Sequence, residues 1–185
     1  TLLNYLLGYF DENKIKRKVR FVNRLDRDTS GIVVACKNSF TQDKISSDFR
    51  DKVEKKYLAI CSGIFKEKEG IIDAPIATSE DNIRREVNYV IGKNSITSYK
   101  VLEEYDNMSL VMLTLYTGRT HQIRVHLSHI GHPIIGDSLY GEKSDLINRQ
   151  ALHSYSIKFK LPRNDKGIEI FAKVPKDFHF FPALY

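Results

Sequence analysis

Residues 23–31 are Asn-Arg-Leu-Asp-Arg-Asp-Thr-Ser-Gly, and they run directly into the apolar stretch Ile-Val-Val-Ala-Cys at residues 32–36. This apolar stretch is short, rich in β-branched residues and bounded by turn-forming residues, which predicts a buried strand. Catalytic groups are commonly carried on a loop at the end of such a strand. Asp26 is therefore the first candidate for chemistry, although the same Asp, Ser and Gly residues would also suit an ordinary polar turn.

The apolar residues on either side of this stretch follow helical or strand periods. Three helices are predicted. The first covers residues 1–10 and is expected to pack on the core. The second covers residues 39–50 and begins with a capping box at Ser39, and the third runs from a cap at Thr120 to Gly131. Strands are predicted at residues 54–61, 95–105, 109–116, 151–161 and 168–174, with a hairpin turn at residues 106–108. Because strands outnumber helices, we predict an α+β fold with a mainly antiparallel, mixed β-sheet and a few flanking helices.

Composition limits the classes of function. The 185 residues suit one domain, and 29 Lys and Arg against 23 Asp and Glu give a net charge of +6, which favours a polyanionic partner. Cys36 and Cys61 lie in apolar runs, so we expect reduced core thiols and a cytoplasmic location. No apolar run approaches the roughly 18–20 residues of a membrane span. We expect residues 1–185 to be a single monomeric catalytic domain. Because the chain starts at Thr1 without Met or a signal peptide, we expect the N-terminal part of the full-length protein to be absent from it.

Residues 117–133 (TGRTHQIRVHLSHIGHP) form a second polar region, with four histidines within twelve residues. Histidine is a common metal ligand, and helical spacing can bring two of them together. However, His121 and His126 are five residues apart, which turns them to different sides of a helix, and no nearby carboxylate pair or cysteine completes a site. We therefore predict no metal site.

Tyr57, on the strand at 54–61, would ordinarily be a core or cross-strand aromatic residue.

Three motifs resemble those of the RluA-type RNA pseudouridine synthases. Residues 23–31 are similar to the active-site motif of that family, with Asn23 where the family usually has His. Lys-Lys-Tyr-Leu-Ala at residues 55–59 resembles the second motif. Gly-Arg-Thr-His-Gln-Ile-Arg-Val-His at 118–126, followed by Gly-His-Pro-Ile-Ile-Gly-Asp at 131–137, resembles the third. The resemblance extends over nearly the whole chain.

This resemblance implies a pseudouridine synthase fold and the isomerisation of uridine in rRNA or tRNA to pseudouridine. It makes Asp26 the catalytic residue, Tyr57 the residue against the target base and Arg124 the active-site basic residue. A partly buried carboxylate needs a fixed cation to stay ionised, so we expect Asp26 and Arg124 to be paired. No cofactor is expected, because the reaction retains uracil and releases only its C5 hydrogen.

Basic and polar residues near these motifs are candidates for contacts with RNA. Arg24 matches the family residue that fills the space left by the target uridine, and its alternative role is a phosphate contact or an ion pair with Asp28. Asn23 in place of His leaves a second hypothesis open, namely a catalytically inactive RNA-binding protein with the same fold. The predicted RNA-binding residues are Arg24, Arg27, Lys55, Arg119 and His121.

Overall fold

The computed structural model describes residues 1–49 and 52–181. In chain order, its helices and strands are α1 (Leu2–Glu12), β1 (Arg20–Phe21), β2 (Ser30–Gly31), β3 (Ala35–Cys36), α2 (Ser39–Asp48), β4 (Glu54–Ser62), β5 (Glu69–Asp73), β6 (Ile76–Thr78), β7 (Arg85–Val87), β8 (Ile96–Tyr105), β9 (Met108–Leu115), α3 (Gln122–His129), β10 (Leu152–Lys160), β11 (Gly167–Phe171) and a 3₁₀ helix (Lys176–Phe178). Of the helices described, the longest has 11 residues, and none is long and apolar enough to cross a bilayer.

The main sheet has the strand order β11-β10-β4-β9-β8-β5. All neighbours on this path are antiparallel, and β2 adds a parallel contact with β10. β1–β3 and β6–β7 form two further antiparallel pairs. The predicted α+β class with a mainly antiparallel, mixed sheet is therefore confirmed.

The hairpin between β8 and β9 turns at the predicted place. Asp106 and Asn107 adopt left-handed φ values of 48° and 58°, and such a two-residue turn matches the twist of the strands that it joins. Met108, which we assigned to the turn, is already the first residue of β9 and pairs with Tyr105.

Two apolar clusters fix the positions of the elements. The larger one covers the centres of β4 and β9 and takes in Ile123 and Leu127 of α3. Burial of such side chains contributes about 1.5–3 kcal/mol each, so α3 is held firmly against the sheet. The smaller cluster joins α2 and β3 to β10 through Cys36, Ile45, Val53, Ile157 and Phe159.

The strand predicted at residues 32–36 is wrong for residues 32–34. Only Ala35–Cys36 is a strand, paired with β1. The Asn23 side chain accepts a hydrogen bond from Val34 N at 2.7 Å and donates one to Ile32 O at 3.2 Å. This amide takes two of the backbone groups that strand pairing would have used, whereas Ile32 N donates to Ser154 O and Val34 O accepts from Val22 N. The segment is irregular.

The predicted helix α1 exists, but its expected packing on the core is wrong. Phe10 is its one buried residue, whereas Leu2, Leu3 and Leu7 are 42–48% exposed. The leucine spacing predicts a helix correctly, because it depends on the local period, but it does not show which partner the apolar face meets.

The caps of the other two helices also differ from the predictions. Asn38, one residue before Ser39, caps α2 by accepting a hydrogen bond from Thr41 N at 2.8 Å. The predicted end of α2 at Arg50 lies outside the described residues. Helix α3 starts at Gln122 after His121, so Thr120 is not its cap.

Candidate active site

A cavity of about 630 Å³ opens beside the sheet. The loop before β2, the start of β4 and the segment that leads into α3 line it, together with single residues of α2, β9 and β10 and the C-cap of α2. Asp26, Tyr57 and Arg124 all lie in its wall. The fold thus brings together the three residues that the motifs single out, although they are 31 to 98 positions apart in the chain.

Asp26 stands on a tight turn. Thr29 N donates to Asp26 O at 3.1 Å, and Asp28 adopts a left-handed φ of 69°, which short polar residues tolerate. From the other side, Gln150 Nε2 donates to Arg27 O at 2.6 Å and to Thr29 Oγ1 at 3.1 Å. The turn is therefore held at both faces, and the Asp26 side chain is 20% exposed to the cavity.

Asn23 holds the other end of this loop. Its hydrogen bonds to the backbone of residues 32 and 34 tie the start of the loop to the segment that follows it. The residue that departs from the family motif thus supports the loop through its amide group. The carboxylate itself comes from Asp26, three residues further on.

Arg124 lies beneath Asp26 and is 5% exposed. Its Nη1 is 3.6 Å from Asp26 Oδ2, while Nε and Nη2 donate to the two carboxylate oxygens of Asp137, both at 2.7 Å. Burial alone would lower the pKa of Arg124, but the hydrogen bonds and charge of Asp137, together with the charge of Asp26, outweigh it and raise the pKa. The expected Asp26–Arg124 pair is present, and Arg124 is a permanent cation shared by two carboxylates.

Asp137 and Tyr140 are site residues that the sequence reasoning missed. Asp137 is fully buried, and the guanidinium of Arg124 lies 5.0 Å from the centre of the Tyr140 ring. The Tyr140 hydroxyl is 2.8 Å from His121 Nδ1 and accepts a hydrogen bond from Arg85 N at 2.7 Å. Asp137 ends the third motif, and that was the available signal.

Tyr57 projects from β4 into the same cavity. Burial raises the pKa of its hydroxyl; a hydrogen bond with Ser154 opposes this, and the negative charge of Asp26 raises the pKa further. The phenol is therefore neutral at physiological pH. It offers a flat aromatic face next to Asp26, which suits contact with a planar base.

Of the residues predicted to bind RNA, all but Arg27 line the cavity. Arg24 and Arg119 are exposed. The Arg27 side chain is 96% exposed and 3.7 Å from Asp28, so the ion pair considered for Arg24 is made by Arg27. Lys55 differs from these arginines, because it is 7% exposed and donates from Nζ to Phe49 O at 2.9 Å.

His121 precedes α3 in a left-handed conformation with a φ of 57°. Burial lowers its pKa; the charge of Asp26 opposes this, and those of Arg124 and Arg85 lower the pKa further. A strained backbone at a cavity wall is frequent in functional sites. Because its pKa is lowered, the His121 side chain is neutral at physiological pH, and it lies close to the charges of Asp26 and Arg124.

Two histidines of the second polar region make contacts elsewhere in the fold. His126 is buried between Thr97 Oγ1 and Ala74 O, both at 2.9 Å, and His132 stacks on the Phe65 ring at 3.7 Å. Within residues 1–49 and 52–181, no group of three or more His, Cys, Asp or Glu residues could hold a metal ion.

Comparison with known proteins identifies the family. Residues 6–129 match the family model described as RNA pseudouridylate synthase. The chain is 38% identical over 178 residues to the uncharacterized RNA pseudouridine synthase YjbO of Bacillus subtilis, covering 96% of this chain and 63% of that protein. It is 35% identical to ribosomal large subunit pseudouridine synthase D of Haemophilus ducreyi, covering 96% of this chain and 59% of that protein.

A solved structure agrees with these relatives. Human RNA pseudouridylate synthase domain containing 1 superposes with a TM-score of 0.75 at 32% identity, covering 90% of this chain and 72% of that one. The chain belongs to the RNA pseudouridylate synthase family, which confirms the resemblance found in the motifs. It spans about three fifths of the length of the curated relatives.

Proposed function

We propose that this protein isomerises uridine in RNA to pseudouridine, with Asp26 as the catalytic residue. One observation carries the proposal: Asp26 faces the cavity 3.6 Å from a buried arginine, and Tyr57 lines the same wall. A carboxylate, a fixed cation and an aromatic face in one cleft fit a reaction at the bond between a sugar and a planar base.

The reaction breaks the bond between N1 of uracil and C1′ of ribose and forms a bond between C5 and the same C1′. N1 gains a proton, and the C5 proton leaves to solvent, so the atoms balance without a cofactor. Cleavage of the glycosidic bond develops positive charge at C1′, which a nearby carboxylate stabilises or attacks. Asp26 is proposed in that role by a sugar-centred route, with Arg124 as the buried cation that faces its carboxylate at 3.6 Å.

The target uridine has to leave its stack before Asp26 can reach its sugar, at a cost of a few kcal/mol. Stacking on an aromatic side chain returns about 1–3 kcal/mol per base. Tyr57 is proposed as the stacking residue. Arg24, exposed on the catalytic loop, is proposed to enter the space that the base leaves.

The proposed substrate is structured RNA. Arg24 and Arg119 at the cavity, with Arg27 beside it, place cations where phosphates would pass, and the protein carries a net charge of +6. Ribosomal RNA is favoured over tRNA, because several relatives are named ribosomal large subunit pseudouridine synthase D or C. Cytoplasmic location, a monomeric state and a single catalytic domain over residues 1–185 stay predictions.

The test is release of tritium from uridine labelled at C5, using ribosomal RNA and tRNA transcripts and partly assembled ribosomal subunits. Wild-type protein should release tritium from at least one of these substrates, and Asp26→Ala should release none. Binding of RNA without release from any substrate would contradict the proposal and favour the inactive RNA-binding protein. Release by Asp26→Ala at the wild-type rate would remove Asp26 from the mechanism.

A further inference from the structure

Arg124 is bound more closely by Asp137 than by Asp26. Its Nε and Nη2 make two parallel hydrogen bonds of 2.7 Å to the carboxylate of Asp137, an arrangement that fixes the plane of a guanidinium. Nη1, the remaining nitrogen, faces Asp26 at 3.6 Å. The orientation of the cation at the catalytic carboxylate is thus set by a third residue.

Asp137 is itself held in place. Its Oδ1 also accepts hydrogen bonds from Leu139 N at 3.0 Å and Tyr140 N at 3.2 Å. Gly136, just before it, has a φ of +75°, and a Cβ there would lie 2.3 Å from Arg149 O. The backbone under Asp137 therefore has little room to move, and the Tyr140 ring lies along the guanidinium that Asp137 binds.

We propose that Asp137 is a positioning residue for the reaction, acting through Arg124. This inference rests on the proposed function. The charge on Asp26 changes when it stabilises or attacks C1′, and a cation that reorients at that moment would give up much of its effect. Because Asp137 fixes Nε and Nη2, Nη1 stays directed at Asp26 throughout the reaction.

The first test is Asp137→Asn. The amide oxygen can still accept from Leu139 N and Tyr140 N, so the variant removes the negative charge and one acceptor for Arg124 while keeping the loop. We expect kcat per folded molecule to fall about ten- to hundredfold and KM to stay within about threefold, the pattern of a lost transition-state interaction.

Glu104→Gln is the matched control. The Glu104 carboxylate forms an ion pair with Lys68 at 2.7 Å and accepts from Phe65 N at 3.1 Å, but it does not line the cavity. Like Asp137, the Glu104 carboxylate pairs with a cationic side chain and accepts a hydrogen bond from the backbone. The substitution removes its charge, and kcat should stay at the wild-type value.

Chemical rescue separates positioning from a structural role. In Arg124→Ala, millimolar guanidinium should restore part of the rate, because Asp137 can bind this ion in the plane that the side chain occupied. Ammonium should not, since it cannot form the paired hydrogen bonds. In Arg124→Ala combined with Asp137→Asn, guanidinium should lose its effect.

A wild-type kcat in Asp137→Asn would overturn this inference alone. Equal rescue by guanidinium and ammonium in Arg124→Ala would do the same, and this second measurement does not depend on the folding of any Asp137 variant. Absence of turnover in the wild-type protein would overturn the inference together with the proposed function.

Discussion

Replacing Gly31 by alanine should displace the loop of residues 23–31, which carries Asp26. Gly31 closes this loop as part of β2 and pairs with Ser154 of β10. Its φ is +113°, and a Cβ built there would lie 2.2 Å from Ser154 O and 2.6 Å from Ser154 N. Both contacts are with backbone atoms, so no side chain can rotate away to make room.

The cost can be worked from these contacts. An L-residue in such a region of φ is strained by about 1–3 kcal/mol. Relief of the contact with Ser154 O requires β2 to move by roughly 1 Å. That movement breaks the hydrogen bond from Ile32 N to Ser154 O, now 3.1 Å long, at a cost of about 1 kcal/mol. We expect the free energy of unfolding to fall by about 2–4 kcal/mol in total, and kcat to fall about a hundredfold because Asp26 moves with the loop.

Urea unfolding and single-turnover kinetics would measure the two effects. Gly167→Ala is the control: nothing lies within 4 Å of a Cβ at Gly167, and its φ lies outside the left-handed region. The reasoning would be refuted if the free energy of unfolding of Gly31→Ala fell by less than about 1 kcal/mol and its kcat equalled that of Gly167→Ala. Asp26 would then be positioned by something other than the pairing of β2 with β10.

Three further outcomes are expected. Arg124→Lys should keep the fold but lose most turnover, because an ammonium group cannot bind Asp137 through two hydrogen bonds and also face Asp26; near-normal kcat would refute this. The double variant Arg27→Gln, Arg119→Gln should reduce the slope of log Kd against log salt concentration by about 2, because each arginine is expected to contact one phosphate. RNA titrations at several salt concentrations measure this slope, and an unchanged slope would mean that neither residue contacts a phosphate. Burial lowers the pKa of His126, so on acidification the imidazole is protonated in the unfolded chain at a higher pH than in the folded protein. The free energy of unfolding should therefore fall as pH drops below about 6.5, by up to about 1.4 kcal/mol per pH unit. Urea titrations in which His126→Gln keeps the wild-type pH dependence would contradict this.

Local patterns predicted the central strands of the main sheet, whereas β5, β6 and β7 were not predicted. The apolar, β-branched and aromatic residues of β4, β8, β9 and β10 predicted these strands to within a few residues. β4 and β9 each contain four consecutive buried residues, so both faces of these two strands are packed. The hairpin turn followed from Asp106 and Asn107, which tolerate a left-handed backbone. These signals depend on neighbours in the chain and can be found without the fold.

Features that depend on distant contacts were not predictable in this way. No strand forms at residues 32–34, where the side chain of Asn23, nine or more positions away, takes the hydrogen bonds of Ile32 O and Val34 N. Asp137 supports Arg124 from beyond the end of α3, and although it ends the third motif, the motif does not show that this side chain is buried against Arg124. Asp26, Tyr57 and Arg124 were found through the family motifs, whereas composition alone left their roles open.

Asp26 is the residue on which the proposed reaction depends, and Asp26→Asn removes its charge while keeping its shape. The most direct measurement is nucleoside analysis of an RNA substrate after a single turnover with wild-type protein and with this variant, at enzyme concentrations that bind all of the RNA. Pseudouridine should appear with wild-type protein and be absent with Asp26→Asn. Pseudouridine formation by the variant at a rate within tenfold of wild type would contradict the assignment of the carboxylate as the catalytic group.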